Sequence, residues 1–220
     1  MRYTILTPTL QRNSLIKACE SVNTQTCTDW EHLVIFDGTF KDAGMLSAIS
    51  HPNRRVVQCT APRHTFGHAC KHFAYSLVKG DYIFNLDDDN FLAHNEVLED
   101  LKQVTGAWAI FPMLRFNAIF FHDPPGMGST ASENFLTRRD IGQWPNSEEY
   151  ASDGLLVESL KLKYAYQSLP DIRPVAVMES NRVGKADDAI VIEVKKEEVI
   201  VPIIQPTQTI RFKRLVRKSG

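Results

Sequence analysis

Short apolar runs recur through the first 105 residues: YTILTPT, HLVIF, RRVVQCT and YIFNL. Segments with helical spacing stand between and after them. Leu15, Ala18, Cys19 and Val22 fall on one helical face, with Ser14 as the expected N-cap. Gly67 to Lys79 carries Ala69, Phe73, Ala74 and Leu77 at helix spacing, and HNEVLEDLKQV lines up Val97, Leu98, Leu101 and Val104. Strands of one direction need crossover connections, so this alternation predicts an α/β chain with a mostly parallel central sheet flanked by helices. The pattern then changes. WAIFPMLRF and AIFFHD read as strands, PPGMGSTASE as a loop, SDGLLVESLKLKY as a helix, and DDAIVIEVKKEEVIVPII as two strands around a charged turn. The expected organisation is a single domain. Its expected halves are residues 1–105, a nucleotide-handling α/β layer, and 106–220, an acceptor-side half with a smaller β region and the C-terminal strands.

Composition excludes several classes. Hydrophobic residues make up 43% of the 220, ample for a core and unlike a disordered chain. With 25 Lys and Arg against 26 Asp and Glu, nothing points to a nucleic-acid partner. Cys19, Cys27, Cys59 and Cys70 show no CxxC spacing and read as free thiols of a reducing compartment. MRYTILTPTLQR turns polar too early for a signal peptide, and no run reaches the roughly 18–20 apolar residues of a membrane span. The expected location is cytoplasmic. The basic end RFKRLVRKSG reads as a solvated terminal element, or as a peripheral contact with an anionic membrane.

Ligands of parallel sheets gather at the carboxyl ends of the strands. Three of those ends read TPT, DGT and DDDN. In the last, Asp87, Asp88 and Asp89 stand where a buried strand stops, although adjacent carboxylates repel and lose hydration near a core. An EF-hand is excluded, because its fifth, sixth and twelfth positions would be Phe91, Leu92 and Leu98. No GxxxxGK[ST] loop occurs. Two readings stand. One is a solvated turn that caps the following helix. The other is a DxD site whose Asp87 and Asp89 share one hard cation, Mn²⁺ or Mg²⁺, with substrate phosphates.

YTILTPTLQRNSLIKACESVNTQTCTDWEHLVIFDGT resembles the opening of family 2 glycosyltransferases of the GT-A (Rossmann-like) fold. There a strand ending near PTYNR leads through S-x-x-x-Q-T to a strand ending in DDGS. Arg12, Ser21, Gln25, Thr26, Asp29, Glu31, Asp37, Gly38 and Thr39 stand at matching places. GHACKHFAYSLVKGDYIFNLDDDN resembles the next block, G-x-x-x-ARN followed by GDYI and LDxDD. The likeness spans roughly residues 1–105. Leu10 and Gln11 replace the YN, Phe36 the first Asp of DDGS, and Cys70-Lys71-His72 the ARN.

The resemblance implies a hexosyltransferase-type enzyme. It would move a sugar from a nucleoside-diphosphate donor, of UDP type, to a glycan or other hydroxyl acceptor, with inversion. Thr7, Pro8 and Thr9 would border the nucleoside, and Asp37 would accept from a uracil-like ring N–H. Arg63 or Lys71 would face the nucleotide or its phosphates, Asp88 the ribose or sugar, and Asp89 the metal first, Asp87 second. The family's ED pair, after f-x-R-R, aligns with Ser152-Asp153 after FLTRRD. Asp153 is the expected base, with helix capping as its structural alternative and Glu148 and Glu149 as substitutes. Trp144 and Tyr150 are candidate stacking platforms for an acceptor sugar, with packing in the core as the alternative, and His122 a candidate metal or substrate contact. Two other classes fit less well: nucleotidyl transfer, whose Gly- and Arg-containing loop is missing after ILTPT, and a non-catalytic sugar or nucleotide-binding module.

Overall fold

The computed structural model describes residues 1–40, 42–59, 67–146 and 151–178. All seven residues of YTILTPT are buried and form β1 (Tyr3–Thr9), which runs through Pro8 instead of stopping there. Proline is tolerated here for a geometric reason. Leu6 accepts from the Leu86 N–H on one side of β1, and alternate residues face the same side. The N–H that Pro8 lacks therefore falls past the last strand pair on that side. The chain continues through α1 (Ser14–Asn23), β2 (Trp30–Asp37), α2 (Ala43–Ala48), β3 (Arg54–Cys59) and α3 (His68–Tyr75). Then come β4 (Tyr82–Asn85), β5 (Asn90–Leu92) and α4 (Val97–Asp100). β6 (Trp108–Ile110), β7 (Met113–Arg115), β8 (Ala118–Phe120) and β9 (Phe135–Arg138) precede α5 (Ser152–Lys161), β10 (Tyr166–Ser168) and β11 (Ala176–Met178).

Seven strands form one sheet in the order β10-β6-β9-β4-β1-β2-β3. β1, β2, β3 and β4 pair in parallel, and only β9 runs against its neighbours β4 and β6. Four short strands, β5-β11-β7-β8, form a second sheet. The mostly parallel α/β class expected from the alternation is the one observed. Apolar side chains pack on both faces of the large sheet. One cluster includes Tyr3, Ile5, Phe84 and Leu101, another Leu6, Ile83, Trp108 and Trp144, and a third Leu15, Val34, Phe36 and Met45.

Several local expectations change. Ser14 is the first helical residue of α1; Asn13 precedes it in helical geometry without a side-chain cap. In α3, Ala69, Cys70 and Ala74 face the core, whereas Phe73 is 40% exposed. HNEVLEDLKQV forms only the four-residue α4 and a 3-10 turn over Leu101–Gln103, although Val97, Leu98, Leu101 and Val104 are all buried as its pattern requires. Its first residues are diverted: the carbonyls of His94 and Asn95 accept from Gln25 and Thr26. WAIFPMLRF divides into β6 and β7 around Pro112. The DDAIVIEVKKEEVIVPII strands and the basic C-terminus lie outside the described residues.

A buried carboxylate ties the lower part of the sheet together. Glu31 of β2 accepts from the Thr4 hydroxyl (2.6 Å) and the Lys79 N–H (2.6 Å) through one oxygen, and from Arg55 (3.1 Å) through the other. Gly80 N–H donates to the same Thr4 hydroxyl at 2.8 Å. A Cβ at Gly80 would lie 2.6 Å from the Thr4 backbone nitrogen, so the approach requires glycine. Burial raises the Glu31 carboxyl, but the hydrogen bonds and Arg55 outweigh it and hold the pKa below its ordinary value. The stabilisation is complete above the unfolded carboxyl's pKa and is lost as pH falls through the lower folded value. Glu31→Gln is expected to cost about 1–3 kcal/mol near neutral pH and to flatten the acid loss of stability. Urea denaturation at neutral and acid pH checks this; a variant as acid-sensitive as the parent contradicts it.

Candidate active site

The acidic strand end is resolved into three different environments. β4 stops at Asn85, and Asn90 N–H donates to the Asp87 carbonyl (3.0 Å), closing a turn before β5. Asp88 turns inward and is 5% exposed, whereas the Asp87 and Asp89 side chains remain 37% and 39% exposed. Thr9, at the end of β1, donates to Asp88 at 2.6 Å and accepts from the Gln11 N–H at 2.9 Å. Gln11 adopts a left-handed backbone (φ 65°), and its side chain donates to the Thr39 carbonyl. The turns after β1, β2 and β4 therefore meet along one rim. Arg12 spans the rim, 3.3 Å from Asp88 and 2.9 Å from Asp89. Burial pushes the Asp88 carboxyl up to about 6, helped by Asp89 and Asp87 and opposed by Thr9 and Arg12.

Asp87 meets a different cation. Lys71, from the first turns of α3, is 1% exposed, and its ammonium lies 2.7 Å from Asp87. It also donates to Ser132 (2.8 Å) and stands 4.4 Å over the Trp144 ring. Burial alone would lower its pKa; Asp87 and Glu133 beside it outweigh that, so Lys71 stays charged. Glu133 is itself fully buried. Burial first, then the Asp87 charge, push its carboxyl upward. Asp153 stands in the first turn of α5, where a carboxylate favours the helix dipole. It is not the N-cap, which is Ala151; its carboxylate accepts from the Gly154 N–H at 2.8 Å. Burial raises the Asp153 pKa, with Lys71 opposing and Asp87 adding, so the charges of 71, 87 and 153 act on one another.

The other candidates divide. Pro8 is buried in β1 and packs toward Gly67, whose left-handed backbone (φ 80°) opens α3. Thr7 is bonded inside the sheet to His32 (2.9 Å), whose other ring nitrogen accepts from Arg54. His32 is therefore the Nε2–H tautomer, and burial with Arg54 beside it keeps it neutral. Asp37 ends β2, 8% exposed and near Cys70, and Gly38 (φ 86°) turns the chain away. Trp144 is fully buried against Phe135 and His68, so it packs in the core and does not offer a face to an acceptor. His122 is exposed, edge-on to Phe120. Arg63, Glu148, Glu149 and Tyr150 lie outside the described residues. Among the described residues, no group of three or more His, Cys, Asp or Glu side chains forms a cation cage.

Sequence reasoning missed Ser132 and Glu133. Both are polar residues in a loop-like run, and only their burial marks them. The motif S-x-x-x-Q-T, by contrast, proves to be a brace. Ser21 accepts from the Leu92 N–H (3.0 Å), while Gln25 donates to the His94 carbonyl and accepts from the Leu98 N–H. Together they pin the chain that leaves the acidic turn to α1.

Removing the buried ammonium takes from Ser132 its donor and from the Trp144 ring its cation, and leaves Asp87 beside Glu133 without compensation. Lys71→Met is expected to destabilise by about 1–3 kcal/mol, less than a fully buried pair would lose, because Asp87 can turn to water. Equilibrium urea unfolding measures it; a neutral effect contradicts the assignment of Lys71 as the counter-charge.

No sequence match is found among curated proteins. TarS of S. aureus superposes with a TM-score of 0.61 at 16% identity, over 80% of this chain and 36% of that one. Its 1–349 portion in complex with UDP-GlcNAc gives 0.61 at 17%, over 80% and 58%. The mannosyltransferase PcManGT of Pyrobaculum calidifontis, in complex with GDP-Man and Mn²⁺, gives 0.55 at 17%, over 77% and 55%. The chain thus spans less than two thirds of each of these structures, and at such identities the likeness is one of fold. The model of glycosyl transferase family 2 matches residues 4–140, more than half of the 220. With that match on this mixed, mostly parallel sheet, the chain belongs to glycosyl transferase family 2.

Proposed function

We propose that this chain transfers a sugar from a nucleoside-diphosphate donor, of UDP type, to a hydroxyl group of a glycan or similar acceptor, with inversion. One observation carries the reading. The β4 end presents a half-exposed carboxylate, Asp89, while a partly buried one, Asp153, senses the Lys71–Asp87 pair from α5. One carboxylate suited to a ligand and another with a raised pKa are the two functions that inverting transfer needs. Family membership and the UDP-GlcNAc complex of TarS support the donor class.

The acidic rim also fits a divalent cation. Asp89 offers a hard oxygen donor whose described partner is the half-exposed Arg12, which water or phosphate can replace. Asp87 is the second donor, with one oxygen held by Lys71. Mn²⁺ or Mg²⁺, as in the Mn²⁺ complex of PcManGT, would be held by Asp89 and Asp87, and would neutralise charge on the diphosphate. The chain's own groups supply the rest. Arg12 adds positive charge at the rim for the phosphates. Asp37 receives the base N–H, and Asp88, held by Thr9, stands beside the ribose or sugar. As the acceptor oxygen forms its bond to C1, the C1–oxygen bond to the diphosphate breaks with its electron pair on the leaving phosphate. The hydroxyl proton passes to the Asp153 carboxylate, whose raised pKa makes it a stronger base.

Asp89→Ala is expected to weaken Mn²⁺-dependent UDP binding by about tenfold or more in calorimetry, the loss of one charged ligand contact. Unchanged affinity overturns the metal role. Asp153→Asn is expected to slow transfer from a UDP-sugar by roughly 10²–10⁴-fold with UDP affinity intact. In the parent, transfer falls as pH drops through the raised Asp153 pKa. Pyrophosphate release in place of sugar release, or binding without turnover over a panel of glycan acceptors, overturns the proposal.

A further inference from the structure

Thr130, Ser132, Glu133 and Asn134 form a buried polar stretch between β8 and β9, with Glu133 fully enclosed. Ser132–Asn134 makes one 3-10 turn. Asn134 fixes it, accepting from the Ala131 N–H through its side chain and from the Phe111 N–H through its carbonyl. From that anchored turn, one Glu133 oxygen accepts two hydrogen bonds: from the Asp87 N–H (2.9 Å) and from the Asn90 side-chain amide (2.7 Å). Asp87 and Asn90 are the two ends of the acidic turn, so one atom holds both. The adjacent Ser132 takes the Lys71 ammonium, whose next contact is Asp87. The backbone and the side chain of Asp87 are therefore fixed from neighbouring residues of the same turn.

We infer that Glu133 is a positioning residue: a buried acceptor that presets the Asp87–Asn90 backbone, turning Asp88 in toward Thr9 and leaving Asp87 and Asp89 half exposed. It touches no ligand. Its contribution to donor binding, which rests on the function proposed above, is preorganisation: a turn already ordered before the ligand arrives loses less freedom on binding. The role requires an acceptor at this place and not a negative charge. Glutamine keeps that oxygen and alanine does not.

Two measurements on the full chain test this. Without ligand, amide exchange in the peptide covering residues 86–92 is expected to be about tenfold faster in Glu133→Ala and within about threefold of the parent in Glu133→Gln. With Mn²⁺ and UDP, calorimetry is expected to show the same order, with about tenfold weaker binding for alanine and near-parent binding for glutamine. Unchanged exchange in Glu133→Ala overturns the inference, as does a glutamine variant as impaired as the alanine one. If Glu133→Ala does not fold, Asn90→Ala removes one of the two donors and is expected to raise exchange in the same peptide; no rise overturns the inference. If the parent binds no UDP, the proposed function fails, and ligand-free exchange still decides the role of Glu133.

Discussion

Lys71 carries a full charge inside the protein, 1% exposed, and the acidic end of β4 is tenable because that charge lies 2.7 Å from Asp87. A buried ammonium needs carboxylates nearby, and clustered carboxylates near a core need a cation. Each condition satisfies the other. α3 delivers the lysine, the turn at Ser132 receives it, and the Trp144 ring closes over it. Lys71, Asp87, Ser132 and Trp144, from four segments of the chain, therefore meet at one ion pair. Asp153 comes within reach of the same charge from α5.

That arrangement separates carboxylates that look alike. Asp87 has an internal cation, Asp88 a hydroxyl and the edge of a guanidinium, and Asp89 the guanidinium at the surface. Charge, burial and hydrogen bonding differ at each, and so do the uses each can serve. Holding such a turn open against its own repulsion needs support from behind. Glu133 supports its two ends, and Ser21 and Gln25 hold the chain that follows. Ser21 and Gln25 add no charge to the rim, and Glu133 lies fully buried behind it.

Legibility followed length and regularity. β1, β2, β3 and β4 were readable because runs of four to eight apolar or alternating residues have few alternatives. β5, β10 and β11 have three residues each, too few to show a period, and α2 has six. FLTRR was legible as a family segment but not as β9, the antiparallel strand that joins β4 to β6. HNEVLEDLKQV had the right buried face and the wrong length, because Gln25 and Thr26 claimed the carbonyls at its start. At the site, the acidic triplet and Asp153 were visible from sequence. From sequence Trp144 could stack on an acceptor or pack in the core, since nothing local distinguishes the two; the structure shows that it packs.

The sequence by itself determined the alternating layers, the rim at the strand ends and the family, since these depend on local periodicity and on residues close together in the chain. Only the tertiary structure decided which cation each aspartate meets, that Ser132 and Glu133 stand behind the acidic turn, and that Thr7 is bonded to His32 inside the sheet. Those outcomes rest on contacts between residues 16 to 77 positions apart. The energy of such a contact depends on burial and on distances of a few ångströms, and neither is written in the local pattern.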